Sequence, residues 1–274
     1  MIIFLTGSTD GLGRALADRF AADGATLILH GRDQGKLDRV ADNIRQAHGG
    51  ARPTTVLADL ADLAQVRRLA ADVQRSTDRL DVFVSNAGIG SGEPDGRSRR
   101  TSVDGFELRF AVNNLAGFLL TRELLPLLRR SAPARIVNVA SIGQSPLDFD
   151  DLMIERNYSG ARAYGQSKLA QIMSGFALAE QLPATEVTVN SLHPATYMPT
   201  KIVLSEIGRH IDTIEEGVNA TARLATGTDA AGVTGRFFDR TRDTKANPQA
   251  YDAKARSELW RRSLELVGGH EDAR

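Results

Sequence analysis

Thr6-Gly7-Ser8-Thr9-Asp10-Gly11-Leu12-Gly13 decides the fold. It follows a β-type apolar run at residues 2–6 and leads into Leu12, Ala15, Leu16, Arg19 and Phe20, which share one face at helical spacing. Glycine suits a backbone with positive φ, and a place where any Cβ would block an approaching phosphate. The free amides of a helix start, backed by the helix dipole, face a negative ligand. A glycine turn between first strand and first helix therefore predicts a dinucleotide site at Gly7, Ser8, Thr9, Gly11, Leu12 and Gly13.

Outward from this turn, apolar runs at 25–30, 54–58, 80–85, 135–141, 186–193 and 232–238 alternate with stretches of helical spacing. The runs are continuous in Val, Ile and Leu, as strands buried on both faces must be. The reading is an α/β chain: a doubly wound, parallel, seven-stranded sheet with helices on both faces, forming one domain over residues 1–274. Segments 88–101 and 144–159 break the rhythm. Each follows a strand, on the carboxyl edge where open parallel sheets take their ligands.

Composition narrows the class. Thirty-four basic residues match 34 acidic ones, so no strong field draws in nucleic acid or an anionic membrane. No apolar run approaches the roughly 20 residues that cross a bilayer. Cysteine is absent, which excludes disulfides, thiolate nucleophiles and iron–sulfur clusters. The five histidines lack ligand spacing and Asp148, Asp150 and Asp151 read as a solvated loop, so no metal is expected. With no basic leader at the N-terminus, the expectation is a soluble cytoplasmic protein. Leu259, Trp260, Leu264 and Val267 share a helix face and are assigned to packing.

Three places carry chemistry. After the second run comes Leu29-His30-Gly31-Arg32-Asp33. Arg32 suits a ribose 2′-phosphate, with Gly31 leaving space, whereas Asp33 would suit free hydroxyls; NADP(H) is favoured, with NAD(H) the alternative. Tyr164 and Lys168 lie one helical turn apart, so the ammonium should favour phenolate and hold the phenol below its ordinary pKa of about 10. That pair could move a proton near neutral pH. Tyr197 and Lys201 repeat the spacing, but Pro199 between them breaks the helical face. Ser141, at the end of a strand, can hydrogen-bond a substrate carbonyl oxygen. Asn113 and Asn114 are polar residues inside an apolar helical stretch.

Taken in order, the turn at 6–13, Asn86-Ala87-Gly88, Asn113, Ser141, and Tyr164 with Lys168 resemble the short-chain dehydrogenase/reductase family over nearly the whole chain. Ala163-Tyr164-Gly165-Gln166-Ser167-Lys168-Leu169-Ala170 is similar to its retinol-dehydrogenase-like branch. The resemblance implies that Tyr164 is the general acid/base and Lys168 its activator and ribose ligand. It implies that Ser141 steadies the substrate oxygen and Asn113 holds a relay water. Asp59 and Leu60 would contact adenine, and Asn86, Ala87 and Gly88 would border the cofactor. Pro194 would lead the carboxamide contact, made by Thr196 or Thr200. Relatives pair through the helices containing Asn113 and Tyr164, which implies a homodimer or homotetramer. The implied reaction is hydride transfer between a nicotinamide and a carbonyl or secondary alcohol of a small, hydrophobic molecule, with an aromatic or polyketide-like carbonyl the first guess. The competing readings are a dinucleotide-sensing regulator without catalysis and an epimerase.

This chain also departs from the family pattern. Ser141 and Tyr164 stand 23 residues apart, a long gap that contains the acidic loop. Ala195 replaces the usual Gly after His193-Pro194, Asn114 stands where the branch often has His, and Asp10 stands near the basic residue of some NADP-preferring members.

Overall fold

The computed structural model describes residues 1–92, 96–200, 203–204, 206 and 208–269. Its strands are β1 (Ile2–Leu5), β2 (Thr26–Gly31), β3 (Thr54–Leu57), β4 (Val82–Ser85), β5 (Ala134–Val139), β6 (Val187–His193), β7 (Phe237–Asp239) and β8 (Arg242–Thr244). They form one sheet in the order β3-β2-β1-β4-β5-β6-β7-β8. Every neighbouring pair is parallel except β7 and β8. Strand order reverses between β1 and β4, which opens a crevice at their carboxyl ends.

Among the described residues the sheet has eight strands where the sequence predicted seven. The eighth, Arg242-Asp243-Thr244, has no apolar run and lies exposed at the edge. It turns back after Arg240, whose φ of 54° makes the tight reversal.

The helices are α1 (Gly11–Ala22), α2 (Gln34–His48), α3 (Leu63–Ser76), α4 (Leu108–Phe110), α5 (Ala116–Arg130), α6 (Gly160–Ala179), α7 (Ile214–Thr226) and α8 (Ala253–Leu266). Side-chain oxygens of Asp33, Asp62, Ser159 and Thr213 accept the first free amides of α2, α3, α6 and α7. The strand pleat sends Ile3 and Leu5 to one side, among Leu16, Phe20, Leu37 and Leu224 of α1, α2 and α7. Phe4 goes to the other, stacked on Phe83 at 5.2 Å and packed with residues of α3, α5 and α6. Both faces are thus dry, which explains why the strands read as apolar runs.

Between α4 and α5 the chain makes a π-helical turn, Ala111–Leu115, closed by the Ala116 amide donating to the Ala111 carbonyl. Uniform helical spacing had been expected there. The extra residue in the turn lets both Asn113 and Asn114 point inward, each 1% exposed. The terminal helix α8 packs on α6 and sets Trp260 edge-on to Phe118 of α5, ring centres 5.0 Å apart. Among the described residues no helix is long and apolar enough to cross a membrane.

Candidate active site

The glycine turn is held by its neighbours across the crevice. Gly7 has φ 67°, and a Cβ there would come within 2.9 Å of the Ala87 Cα. At Gly13 a Cβ would lie 2.0 Å from the Gly7 carbonyl oxygen. The Asn86 side-chain amide donates to the Thr6 and Gly7 carbonyls (2.9 and 3.2 Å), while the Thr6 hydroxyl accepts from the Asn86 and Ala87 amides (3.0 and 3.1 Å). Asn86 and Ala87 thus sew the two strand ends together. Ser8, fully buried, donates its amide and hydroxyl to the His30 carbonyl at 2.9 and 3.0 Å. Asp10 caps α1 by accepting from Gly11 at 2.7 Å, which explains a carboxylate near the place where some relatives carry a base. The Leu12 and Gly13 amides have no partner among the described residues, the arrangement that suits a pyrophosphate.

His30 was assigned no role from sequence, yet it organises this turn. Its Nδ1 accepts from the Gly7 amide at 3.3 Å and its Nε2 donates to the Ala58 carbonyl at 3.1 Å. Burial pushes its pKa down to about 4, against weaker opposing effects of the Ala58 bond and Asp59. The only clue was a polar residue inside an apolar strand.

At the end of β2, Arg32 is exposed and makes no hydrogen bond or ion pair among the described residues. The Asp33 carboxylate caps α2 by accepting from Lys36 at 3.0 Å. The space expected beside Gly31 is filled: a Cβ there would meet the Thr9 Cγ2 at 2.6 Å. At the end of β3, Asp59 accepts from Ala61 at 2.9 Å and Leu60 is buried.

Ser141, Tyr164 and Lys168 converge beyond the carboxyl end of β5. A Cβ built on Gly143 would sit 3.4 Å from the Ser141 Oγ and 3.8 Å from the Tyr164 ring. The Ser141 Oγ accepts from the Gly143 amide at 3.0 Å, which leaves its O–H to donate toward Tyr164. The Lys168 Nζ lies 6.0 Å from the Tyr164 ring centre and donates to the Val139 carbonyl at 2.9 Å. Burial raises the Tyr164 pKa above its ordinary value, with the Ser141 hydroxyl opposing and Glu206 and Tyr197 adding to the rise. The sequence expectation of a lowered pKa is therefore reversed, because desolvation of the phenolate is the largest effect on it. Lys168, 5% exposed, is itself pushed down to about 8 by burial.

Asn113 is a clamp. Its Oδ1 accepts from the Ile89 amide (2.9 Å), and its Nδ2 donates to the Ile89 carbonyl (3.1 Å) and the Ser167 hydroxyl (2.9 Å). Both amide hydrogens are thereby used, while Oδ1 keeps a second lone pair. Gly88 passes between Asn113 and Lys168, 3.1 and 3.4 Å from a would-be Cβ.

Pro194 is buried just after β6. The Thr196 hydroxyl is 3.0 Å from the His193 Nε2 and accepts from Arg240 at 3.2 Å, while its amide donates to Asp212 at 2.6 Å. Arg240 also pairs with Asp212. Thr196 is thereby fastened to His193, Asp212 and Arg240. Thr200 instead lies against the glycine turn, 3.0 Å from a Cβ built on Gly11. Tyr197 has φ 47°, outside helical geometry, and Lys201 lies outside the described residues. In the acidic loop, Asp148 pairs with Arg162 at 3.1 Å and Asp151 accepts from the Glu155 and Arg156 amides.

Comparison with known proteins agrees with this geometry. Residues 1–206 match the short chain dehydrogenase family. Mouse retinol dehydrogenase 14 is 36% identical, covering 97% of this chain and 85% of its own length. A Streptomyces protein named for daunorubicin C-13 ketoreductase activity is 35% identical, covering 97% and 92%. Among solved structures, the NADP complex of Pseudomonas aeruginosa RhlG is 29% identical with a TM-score of 0.69, covering 87% of this chain and 94% of that one. The chain belongs to the short-chain dehydrogenase/reductase family, in its retinol-dehydrogenase-like branch.

Proposed function

We propose that this oxidoreductase uses NADP(H) to reduce the carbonyl of a hydrophobic small molecule, an aromatic or polyketide-like ketone being the first choice. The observation that carries the reading is the convergence of Ser141, Tyr164 and Lys168 at the carboxyl edge, beside a glycine turn with unpartnered amides. When bound, the cofactor supplies the hydride. Tyr164, a phenol at neutral pH whose burial disfavours ionisation further, gives its proton to the substrate oxygen. Ser141 donates its O–H to the same oxygen as charge gathers there. Lys168 steadies the phenolate left behind, since at neutral pH a pKa of about 8 leaves it mostly charged. A neutral phenol suits reduction; the reverse reaction needs phenolate and higher pH.

NADP(H) over NAD(H) is supported by the unpaired, exposed Arg32 and by the commitment of Asp33 to α2. The RhlG complex with NADP points the same way. For the carboxamide, the position of Thr200 against Gly11 favours it over Thr196. The test is a panel of aldehydes and ketones followed at 340 nm. Tyr164→Phe should abolish NADPH oxidation while NADPH binding, read by fluorescence, survives. Full activity of that variant would overturn the proposal.

A further inference from the structure

The geometry points to Arg109 as the positioning residue of the substrate pocket, an inference that rests on the oxidoreductase reading. This guanidinium is 0% exposed. Its Nε donates to the Gly90 carbonyl (2.7 Å), its Nη2 to the Ser91 carbonyl (2.8 Å) and its Nη1 to the Tyr158 hydroxyl (2.6 Å). Tyr158 in turn donates to the Glu107 Oε1 at 3.1 Å, and burial and Glu107 hold its pKa at about 12, so it stays a donor. Glu107, also 0% exposed, lies 3.7 Å from Arg109 and accepts from the Phe110 amide at 2.7 Å.

One side chain thus ties segment 88–101, whose Gly88 lies against Lys168, to segment 144–159, whose Ser145 lies against Gly165 next to Tyr164. Ser91 carries the tie onward: its hydroxyl donates to the Glu206 Oε2 at 2.9 Å, reaching the segment after β6. The fit is tight, because a Cβ on Gly160, at the start of α6, would stand 2.0 Å from the Ser91 carbonyl oxygen. Segment 144–159 is held under strain, since Ile154, β-branched and buried, has φ 48°, and Asn157 has φ 50°. A planar fork offers donors on three separate nitrogens, one to each of these acceptors, whereas an ammonium gathers its three donors on a single atom and cannot reach acceptors spaced that far apart. Arg109 therefore sets where the walls of the carbonyl pocket stand relative to Tyr164 and leaves the glycine turn, across the crevice, untouched.

The experiment compares Arg109→Lys and the milder Tyr158→Phe with the parent chain. In Arg109→Lys, the KM of the panel carbonyl that turns over best should rise about tenfold or more, with kcat falling less and the Kd of NADPH within about twofold. Tyr158→Phe should shift KM in the same direction by a smaller factor, and it keeps the test in hand if the first variant fails to fold. Hydrogen exchange should speed at 88–91 and 153–160 in both variants while the turn at 6–13 keeps its protection, a readout that stands even if no carbonyl turns over. Parental KM and exchange in both variants would overturn the inference. So would an equal loss of kcat and NADPH affinity, which would mark Arg109 as a general support of the fold.

Discussion

Lowering the pH should unlock the glycine turn through His30. Its folded pKa of about 4 lies below the unfolded value of 6.5. The unfolded chain therefore binds the proton more readily between those values, so stability is complete above about pH 6.5 and is lost as pH falls toward 4. At about 1.36 kcal/mol per pKa unit, the whole window is worth ~3 kcal/mol. Integrated from pH 7.5 to 5.0, the loss is about 2 kcal/mol, or about 4–8 °C in Tm for a chain of this size. Asp59 is the charged group acting on His30, and it favours the proton only weakly against burial. The assay is urea denaturation of the ligand-free protein and of His30→Asn at a series of pH values. Other titrating groups are common to both proteins, so the difference between the two curves isolates this ring. The parent should lose about 2 kcal/mol more than the variant over that range. NADPH affinity should decline in the same window, because an imidazolium cannot accept from the Gly7 amide. Parallel stability curves for the two proteins would refute the reasoning.

Three further outcomes are expected. Arg32→Asp should lower the NADP/NAD preference at least about tenfold in kcat/KM, by loss of a phosphate contact and gain of a hydroxyl acceptor; an unchanged ratio would remove Arg32 from the site. Lys168→Met should end turnover yet stabilise the ligand-free protein by up to about 3 kcal/mol at pH 7, since a buried ammonium whose pKa falls from 10.5 to about 8 costs the folded state below pH 8; a lower Tm would count against this. Trp260→Ala should lower the Tm by removing the edge-on contact with Phe118 that seats α8; an unchanged Tm would contradict it.

What the sequence disclosed was whatever depends on neighbours in the chain. Strand runs, the glycine turn and the Tyr164–Lys168 spacing are local patterns, and the sheet brings their ends to one edge by topology alone. The β8 strand escaped notice because an edge strand needs only backbone partners, and Arg242-Asp243-Thr244 has no apolar pattern to read. The sign of the Tyr164 pKa shift was missed for a different reason. Spacing gives the distance between two charges, but burial sets the solvation that each loses, and in this site the second effect wins.

His30 and Arg109 mark a further limit. His30 ends an apolar strand run and Arg109 stands between Leu108 and Phe110, positions where a polar residue usually means solvent or a local turn. Each becomes meaningful only through carbonyls brought in from elsewhere: Ala58 for His30, Gly90 and Ser91 for Arg109. Both are buried, and both carry donors that could not go unmet there without a large penalty. A polar residue buried at such a position must therefore meet partners from another segment, and in this chain those segments are the ones that frame the cofactor crevice and the substrate pocket. The glycine turn and the catalytic pair announce the chemistry locally, whereas the alignment of one with the other is carried by long-range bonds that no spacing rule encodes.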